Sequence, residues 1–571
     1  MTPPARGALV FGFLGILTCA MTWPIAVSLD QSFYTHADYF SNLWNIWWVQ
    51  KSVLDLGTSP YWTDTLFFPT GISLAMHTLS LANSLPGALL SRLGGVVVAF
   101  NVLTLVHFWM SAWVFYLLAH YLTRSRLGSI LAGIIYSFCP FHYYYLPMIN
   151  IVSMESLPLT ALFFMKTYRE GGARNFLVAA MATALTAVSC WYYLPYVALL
   201  AGGLAGCGRL WAPEIPFLVG LRRVATAGIA GGILVVPLAL PLISATLFSD
   251  AEHPKVGRHL HEGHDLLGFT WIGPPEKRIL AWPSAVGYSG LLLVVLGFRE
   301  VRRHKTWMIL AGATWLLGLG GSLTVGGSDT GVPLPYAALV KLPVLGMLRN
   351  PDRMFVLLQL SFAALCAYGW VGVARRFPSP TAQRLAWAGF LGFVVLEFNG
   401  SPLRQFPYPC SPYLSQIAAD PQTGSIIEIP ASTGPYAARY NRCQTVHGKK
   451  IPQGYVTNLA MTSELLAETT AWYTSVARRK VAPGVFFERL RRSGIDLVIL
   501  NKRVSAPRRP EDRETFIWKP FAWVADWLLP ARQTGAFVYR NAANPELRSW
   551  LEARLGTPVH EDALIVVFRA P

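Results

Sequence analysis

The chain has 571 residues, of which 53% are hydrophobic and only 13% charged, and its mean hydropathy is positive. Soluble domains average about 25% charged residues, so this composition excludes a protein solvated mainly by water. The formal charge of +17 invites a nucleic-acid reading, but much of the basic excess falls in short segments between apolar runs, and the C-terminal tail contributes the rest as scattered residues and small clusters such as 478–480. No nucleic-acid motif accompanies them, and that class is set aside.

Eleven apolar runs read as membrane spans: 7–29, 96–121, 127–146, 148–167, 175–191, 193–211, 224–248, 284–298, 306–323, 353–374 and 382–399. Each approaches the roughly 20 residues needed to cross a hydrocarbon core. The stretch 226–247 carries no ionisable side chain. The first run lacks a small-residue cleavage site and reads as a retained span. With the N-terminus in the cytoplasm, every short inner loop is basic, as retained loops are: Arg124 and Arg126; Lys166, Arg169 and Arg174; Arg209, Arg222 and Arg223; Arg299, Arg302, Arg303 and Lys305; Arg375, Arg376 and Arg384. An odd number of spans then puts the C-terminus outside. Spans five and six, separated by the short break at 192–195, are the weakest.

Three outer segments are long: 30–95, 249–283 and 323–352. Within the first, 40–56 is rich in Trp and Leu and suits a helix in the membrane interface, with Trp44, Trp47 and Trp48 at headgroup depth. The stretch 79–93 reads the same way. From Gly400 the composition turns soluble. Short β-type runs (425–429, 495–500, 536–539, 564–568) alternate with helical stretches such as 461–477, giving a small α/β domain of about 170 residues. The expected architecture is mostly α: a polytopic helical bundle over 1–399 and an extracytoplasmic α/β domain over 400–571. Cys410 and Cys443 lie in that outer domain, either joined in an oxidising compartment or as two free thiols. The remaining five cysteines show no metal-ligand spacing and read as small packing residues.

Chemistry concentrates at the outer ends of the spans. Asp38 opens the Trp-rich helix, flanked by His36 and Asn42. A carboxylate shielded there could take a proton from a substrate hydroxyl. It could equally cap the helix, as Asp does well. Glu155, in the outer half of span four beside Asn150, Ser153 and Ser156, is costly at membrane depth, and such residues usually face a cavity or a partner. Pairing with a buried Arg or Lys is the plainer account. His142 and the Tyr143–Tyr145 run would line the same vestibule.

Arg349 and Arg353, four residues apart, could share one helical face and grip an anionic headgroup; anchoring, or an ion pair with Asp352, is the alternative. In the second outer loop, Lys255 and Arg258 are candidates for secondary phosphate contacts, while His259, His261 and His264 fit no zinc motif. His447, Lys449 and Lys450 could reach back toward the membrane site, but an exposed basic turn is the plainer reading.

Asp38 and the Trp-rich helix after it resemble the first external loop of the GT-C glycosyltransferases. More finely, the chain resembles bacterial multi-spanning membrane proteins of the YfhO-related family. The similarity runs through 67–74, 150–159 and 348–353 to 444–448. It implies transfer of a sugar from a polyprenyl-phosphate donor to a lipid or cell-envelope glycan acceptor, on the outer face of the bacterial inner membrane. In that reading Asp38 and Glu155 are the catalytic carboxylates, and His36, Asn42, Arg349, Arg353, Lys255 and Arg258 hold substrate. The resemblance admits a divalent metal, but no second external carboxylate is matched here.

Two other classes compete. A lipid or glycan transporter predicts polar residues near the midplane of several spans and paired interrupted helices. Here the spans are polar mainly at their outer ends, and Pro237 and Pro241 interrupt only one. A non-enzymatic envelope-assembly protein would depend on the tail and be indifferent to Asp38.

Overall fold

The computed structural model describes residues 3–34, 36–248, 264–266, 268, 284–325, 328–341, 350–399, 403, 409–429, 437–456, 484–507, 537–541 and 545–571. They pack as two bodies, one holding Met1–Ser28 and Val102–Leu403, the other Leu29–Asn101 with the described residues from 409 onward.

The first body is helical, and the chain is a membrane protein. Among the described residues three helical segments are long and apolar enough to cross a membrane: Leu81–Thr123, Phe217–Ser244 and Pro351–Ala374. Ala5–Met21, Ala173–Ser189 and Tyr193–Gly206 are shorter apolar helices. These segments fail to alternate because they have no wet face. Phe217–Ser244 leaves Leu218, Ile229, Ile233, Leu234 and Leu240 more than half exposed, an apolar surface of the kind lipid covers. Phe355–Ala374 is the opposite case, buried nearly throughout. Its neighbours approach closely where side chains vanish. A Cβ on Gly369 would stand 2.6 Å from the Leu293 carbonyl oxygen, and one on Gly297 2.2 Å from that of Gly369. Small residues serve this close helix packing in membranes.

Two expected elements differ in detail. The run 148–167 is not one helix. It forms a turn at Ile149–Val152, breaks, and resumes as Ser156–Arg169, so Glu155 stands at a helix start rather than inside a span. Likewise 127–146 is Arg126–Ser137 followed, after Cys139, by Pro140–Tyr144; Pro140, with no amide hydrogen, starts the second piece.

The second body is built around a four-stranded sheet in the order Ile426–Ile429, Leu497–Asn501, Ile565–Arg569, His560–Glu561. The first two strands are parallel and the others antiparallel. Central strands buried on both faces read as continuous apolar runs rather than alternating ones, which is how Leu497–Leu500 and Ile565–Phe568 appear. Ile427, Val498, Leu500, Val566 and Phe568 form the core with Leu490, Leu547 and Leu551, and Phe68 packs against them. The expected helix at 461–477 lies outside the described residues.

Residues 29–101 are tied into this body. The Ile451 amide donates to the Thr65 carbonyl and the Phe68 amide to the Ile451 carbonyl. Helix Ala37–Val49 packs on helix Ala438–His447. Trp44 is fully buried, and its indole N–H donates to Gln444 Oε1 at 2.7 Å. Trp44 and Trp48 therefore face protein rather than headgroups: a buried indole N–H needs an acceptor, and Gln444 and the Pro60 carbonyl supply them. Cys410 and Cys443 form a disulfide, with Cα atoms 5.6 Å apart.

Candidate active site

Asp38 lies in the first turn of helix Ala37–Val49, but it is not the cap. His36 holds that place, with extended backbone angles and a ring Nδ1 that accepts the Asp38 amide hydrogen at 3.2 Å. The Asp38 carboxylate is thus free of capping duty. It is 20% exposed and stands 3.2 Å from the same Nδ1, a nitrogen already occupied as an acceptor. Asn42 donates to the Asp38 carbonyl at 2.8 Å, tying its amide to its own helix.

One turn further, the Asn45 side chain faces His77 Nε2 at 2.7 Å and donates its own hydrogen to the Thr78 carbonyl. With the amide oxygen of Asn45 turned to it, that imidazole nitrogen is the donor. Burial pushes His77 down to about 4, against the opposing pull of the Asp38 charge. Among the described residues no group of three or more His, Cys, Asp or Glu side chains is arranged to hold a metal ion.

In the helical body Glu155 pairs with His107, at 3.0 Å, and with no described Arg or Lys. Among the described residues the second carboxylate oxygen and His107 Nε2 are both buried without a partner. His142 lines no vestibule. It is fully buried, its two ring nitrogens face the Ser137 and Val152 carbonyls at 2.6 and 2.8 Å, and its ring stacks on Phe108. It holds the bend between two helices.

The 352–353 pair divides its charges. Asp352, buried, accepts from the Tyr145 hydroxyl and has His264 Nε2 at 3.6 Å. The Arg353 guanidinium turns elsewhere, its centre 4.3 Å from the Tyr192 ring centroid. Among the described residues its Nε is buried without an acceptor, and no carboxylate lies within ion-pair distance. The expected alternative, an Asp352–Arg353 ion pair, is absent because tyrosine and histidine take the carboxylate first.

Arg349, Lys255 and Arg258 lie outside the described residues, as do His259 and His261. Sequence reasoning missed His107 and Tyr192, and it weighed His264 only as a zinc ligand, not as a partner of Asp352. For His107, a histidine inside an apolar span was the visible signal; Tyr192 carries none locally.

No protein-family model matches the chain, and no curated protein matches it. Solved structures do. The arabinofuranosyltransferase AftD from Mycobacteria aligns over 88% of this chain and 35% of its own, with TM-score 0.53 and 16% identity. A mutant form of AftD gives 0.50 at 17% identity over 88% and 37%. ArnT from Cupriavidus metallidurans bound to undecaprenyl phosphate aligns over 99% and 98% at 10% identity, with TM-score 0.48. The present chain thus spans little more than a third of AftD.

Proposed function

We propose that this chain, which has the GT-C fold of membrane glycosyltransferases, moves a sugar from a polyprenyl-phosphate-linked donor to a lipid or cell-envelope glycan acceptor. The shared fold is the observation that carries the reading. The proposal also takes in an eleven-span arrangement, an inner-membrane location in a bacterium, an outer-face reaction and an outer domain beginning near residue 400. The finer kinship with YfhO-related proteins belongs to it too.

In this reading the acceptor hydroxyl attacks the anomeric carbon with inversion. The new glycosidic bond forms as the sugar–phosphate bond breaks, and the polyprenyl phosphate leaves with the bonding electrons. Asp38 takes the hydroxyl proton; its partial exposure and freedom from capping suit a general base. Arg353, a planar cation without a carboxylate partner among the described residues, suits the leaving phosphate, whose growing charge it stabilises. Arg349, Lys255 and Arg258 would add to that grip. Glu155 keeps one carboxylate oxygen for a sugar or acceptor hydroxyl.

The test is transfer of labelled sugar from polyprenyl-phosphate donors by the purified protein in liposomes. Asp38→Asn abolishes transfer while leaving insertion and melting temperature intact. Full activity in that variant would show that Asp38 is not the base.

A further inference from the structure

The turn after helix Ala438–His447 meets the helix that follows Asp38, and together they gather more positive charge than the protein neutralises. Lys51 lies in the π-helical turn Gln50–Asp55. Its ammonium donates to the Gly448 carbonyl at 3.2 Å and lies 5.0 Å from the Trp47 ring centroid. Lys449 donates to the Asp420 carbonyl at 2.7 Å. Among the described residues neither ammonium has a carboxylate within ion-pair distance. The nearby acids are otherwise engaged: Asp64 pairs with Lys450, Asp55 with Arg92, and Asp420 binds Thr423 and the Gln422 amide.

His447 adds a third unsatisfied group. Its Nδ1 accepts the Lys449 amide hydrogen at 3.0 Å, so the neutral ring carries its proton on Nε2. That nitrogen is buried and has no acceptor among the described residues. Burial holds the ring down to about 3, with the Lys449 and Lys51 charges adding to the effect. Burial also lowers the Lys51 ammonium; the Asp64 charge raises it, and the Lys450 and Lys449 charges lower it further.

Capping a helix C-terminus accounts for one cation, since Gly448 follows the last turn and lysines favour the negative end of the dipole. It does not account for the second ammonium or for an imidazole N–H with nowhere to donate. Proteins rarely leave buried donors unpaired without a reason. Two uncompensated ammonium groups and one N–H donor complement a group carrying close to two negative charges and several acceptor oxygens. A phosphate monoester has both.

We propose that Lys51, His447 and Lys449 form a binding site for a phosphate group. This inference does not depend on the glycosyltransferase reading, nor on the roles given to Asp38 and Arg353. The group could be borne by a water-soluble molecule or by a lipid, and the chemistry of recognition is the same.

The detergent-solubilised full chain is tested with two probes: radiolabelled inorganic phosphate by equilibrium dialysis, and phosphatidic acid in mixed micelles by native mass spectrometry. Saturable binding of the first points to a soluble ligand, and of the second alone to a lipid. Lys51→Met keeps the aliphatic stem over Trp47 and removes the charge; Lys449→Gln does the same on the other side. Each weakens binding at least tenfold, a loss of about 1.4 kcal/mol. The double variant D64N/K450M removes an ion pair of zero net charge and stays within about threefold, as expected for an exposed pair. Melting curves confirm folding, and Lys449→Gln gives the same reading if Lys51→Met does not fold. Absence of saturable binding by either probe, or wild-type binding in both single-lysine variants, overturns the proposal.

Discussion

The guanidinium of Arg353 lies over the ring of Tyr192, 4.3 Å from its centroid, while the carboxylate beside it in sequence is held by Tyr145 and His264. Two charges adjacent in the chain are thus kept apart by tyrosines and a histidine, and the cation retains its capacity for an anion. A planar guanidinium stacked on an aromatic ring presents its remaining N–H groups in a fixed fork. Arg353→Lys keeps the charge but loses the fork and the stack. Charge-assisted hydrogen bonds are worth about 1.5–3 kcal/mol each, so transfer efficiency should fall roughly 10- to 100-fold in Arg353→Lys and further in Arg353→Ala. Steady-state kinetics over a donor series measures this, and a wild-type kcat/KM in the alanine variant removes Arg353 from donor binding.

The His107–Glu155 pair predicts non-additive stability. Each single change, His107→Leu or Glu155→Leu, leaves its partner buried without its hydrogen bond, at a cost of about 1–3 kcal/mol. The double variant removes both groups and costs less than the sum. Melting temperatures of the four proteins in one detergent close the cycle; simple additivity means that the two side chains do not interact.

Glu428 makes the sheet-bearing body sensitive to pH. The carboxyl is buried beside Asn501, and burial raises it to about 7, against the Asn501 hydrogen bond and the Arg439 charge. The folded protein therefore holds this proton more tightly than the unfolded chain, whose carboxyl titrates near 4.5. Its contribution is complete below about pH 4.5, declines as pH rises, and is gone above about 7. The span corresponds to at most about 3 kcal/mol. Glu428→Gln should raise the melting temperature at pH 8 relative to wild type and leave pH 5 nearly unchanged. Parallel pH dependence of the two proteins would exclude Glu428 as the source.

Cys410 and Cys443 close a loop with a sequence separation of 33. In the chain-entropy account such a crosslink stabilises by about 3–4 kcal/mol. Reduction with dithiothreitol and the double variant C410S/C443S should lower the melting temperature by equal amounts. A reductant effect that persists in the double variant would point to another thiol.

Apolar runs long enough to be helices, and β-branched runs such as 497–500 and 565–568, were legible because periodicity and length are local properties. Partnerships were not. Nothing in the sequence near Trp44 announces that its acceptor is Gln444, and nothing near Asp352 announces His264. Asp38 as a cap was a fair alternative on residue preference alone, yet His36, one step outside the helix with extended backbone angles, performs it. His142 illustrates the reverse error: a histidine in a polar-looking stretch is consumed by two backbone carbonyls that only the bend at 138–140 brings together. The basic turn at 447–450 looked like a solvated surface because the chain that meets it lies some 400 positions earlier.

That separation has a consequence in time. Synthesis proceeds at about 5–20 residues per second, and Gln444 follows Trp44 by 400 residues. The indole therefore waits roughly 20–80 s after translation before its acceptor exists, and Phe68 waits longer for the last strand it packs beneath. During that interval helix Ala37–Val49 has no mate for its tryptophan face. A chain stalled or truncated before residue 444 would be held in this unfinished condition, with its Trp-rich helix open to other surfaces.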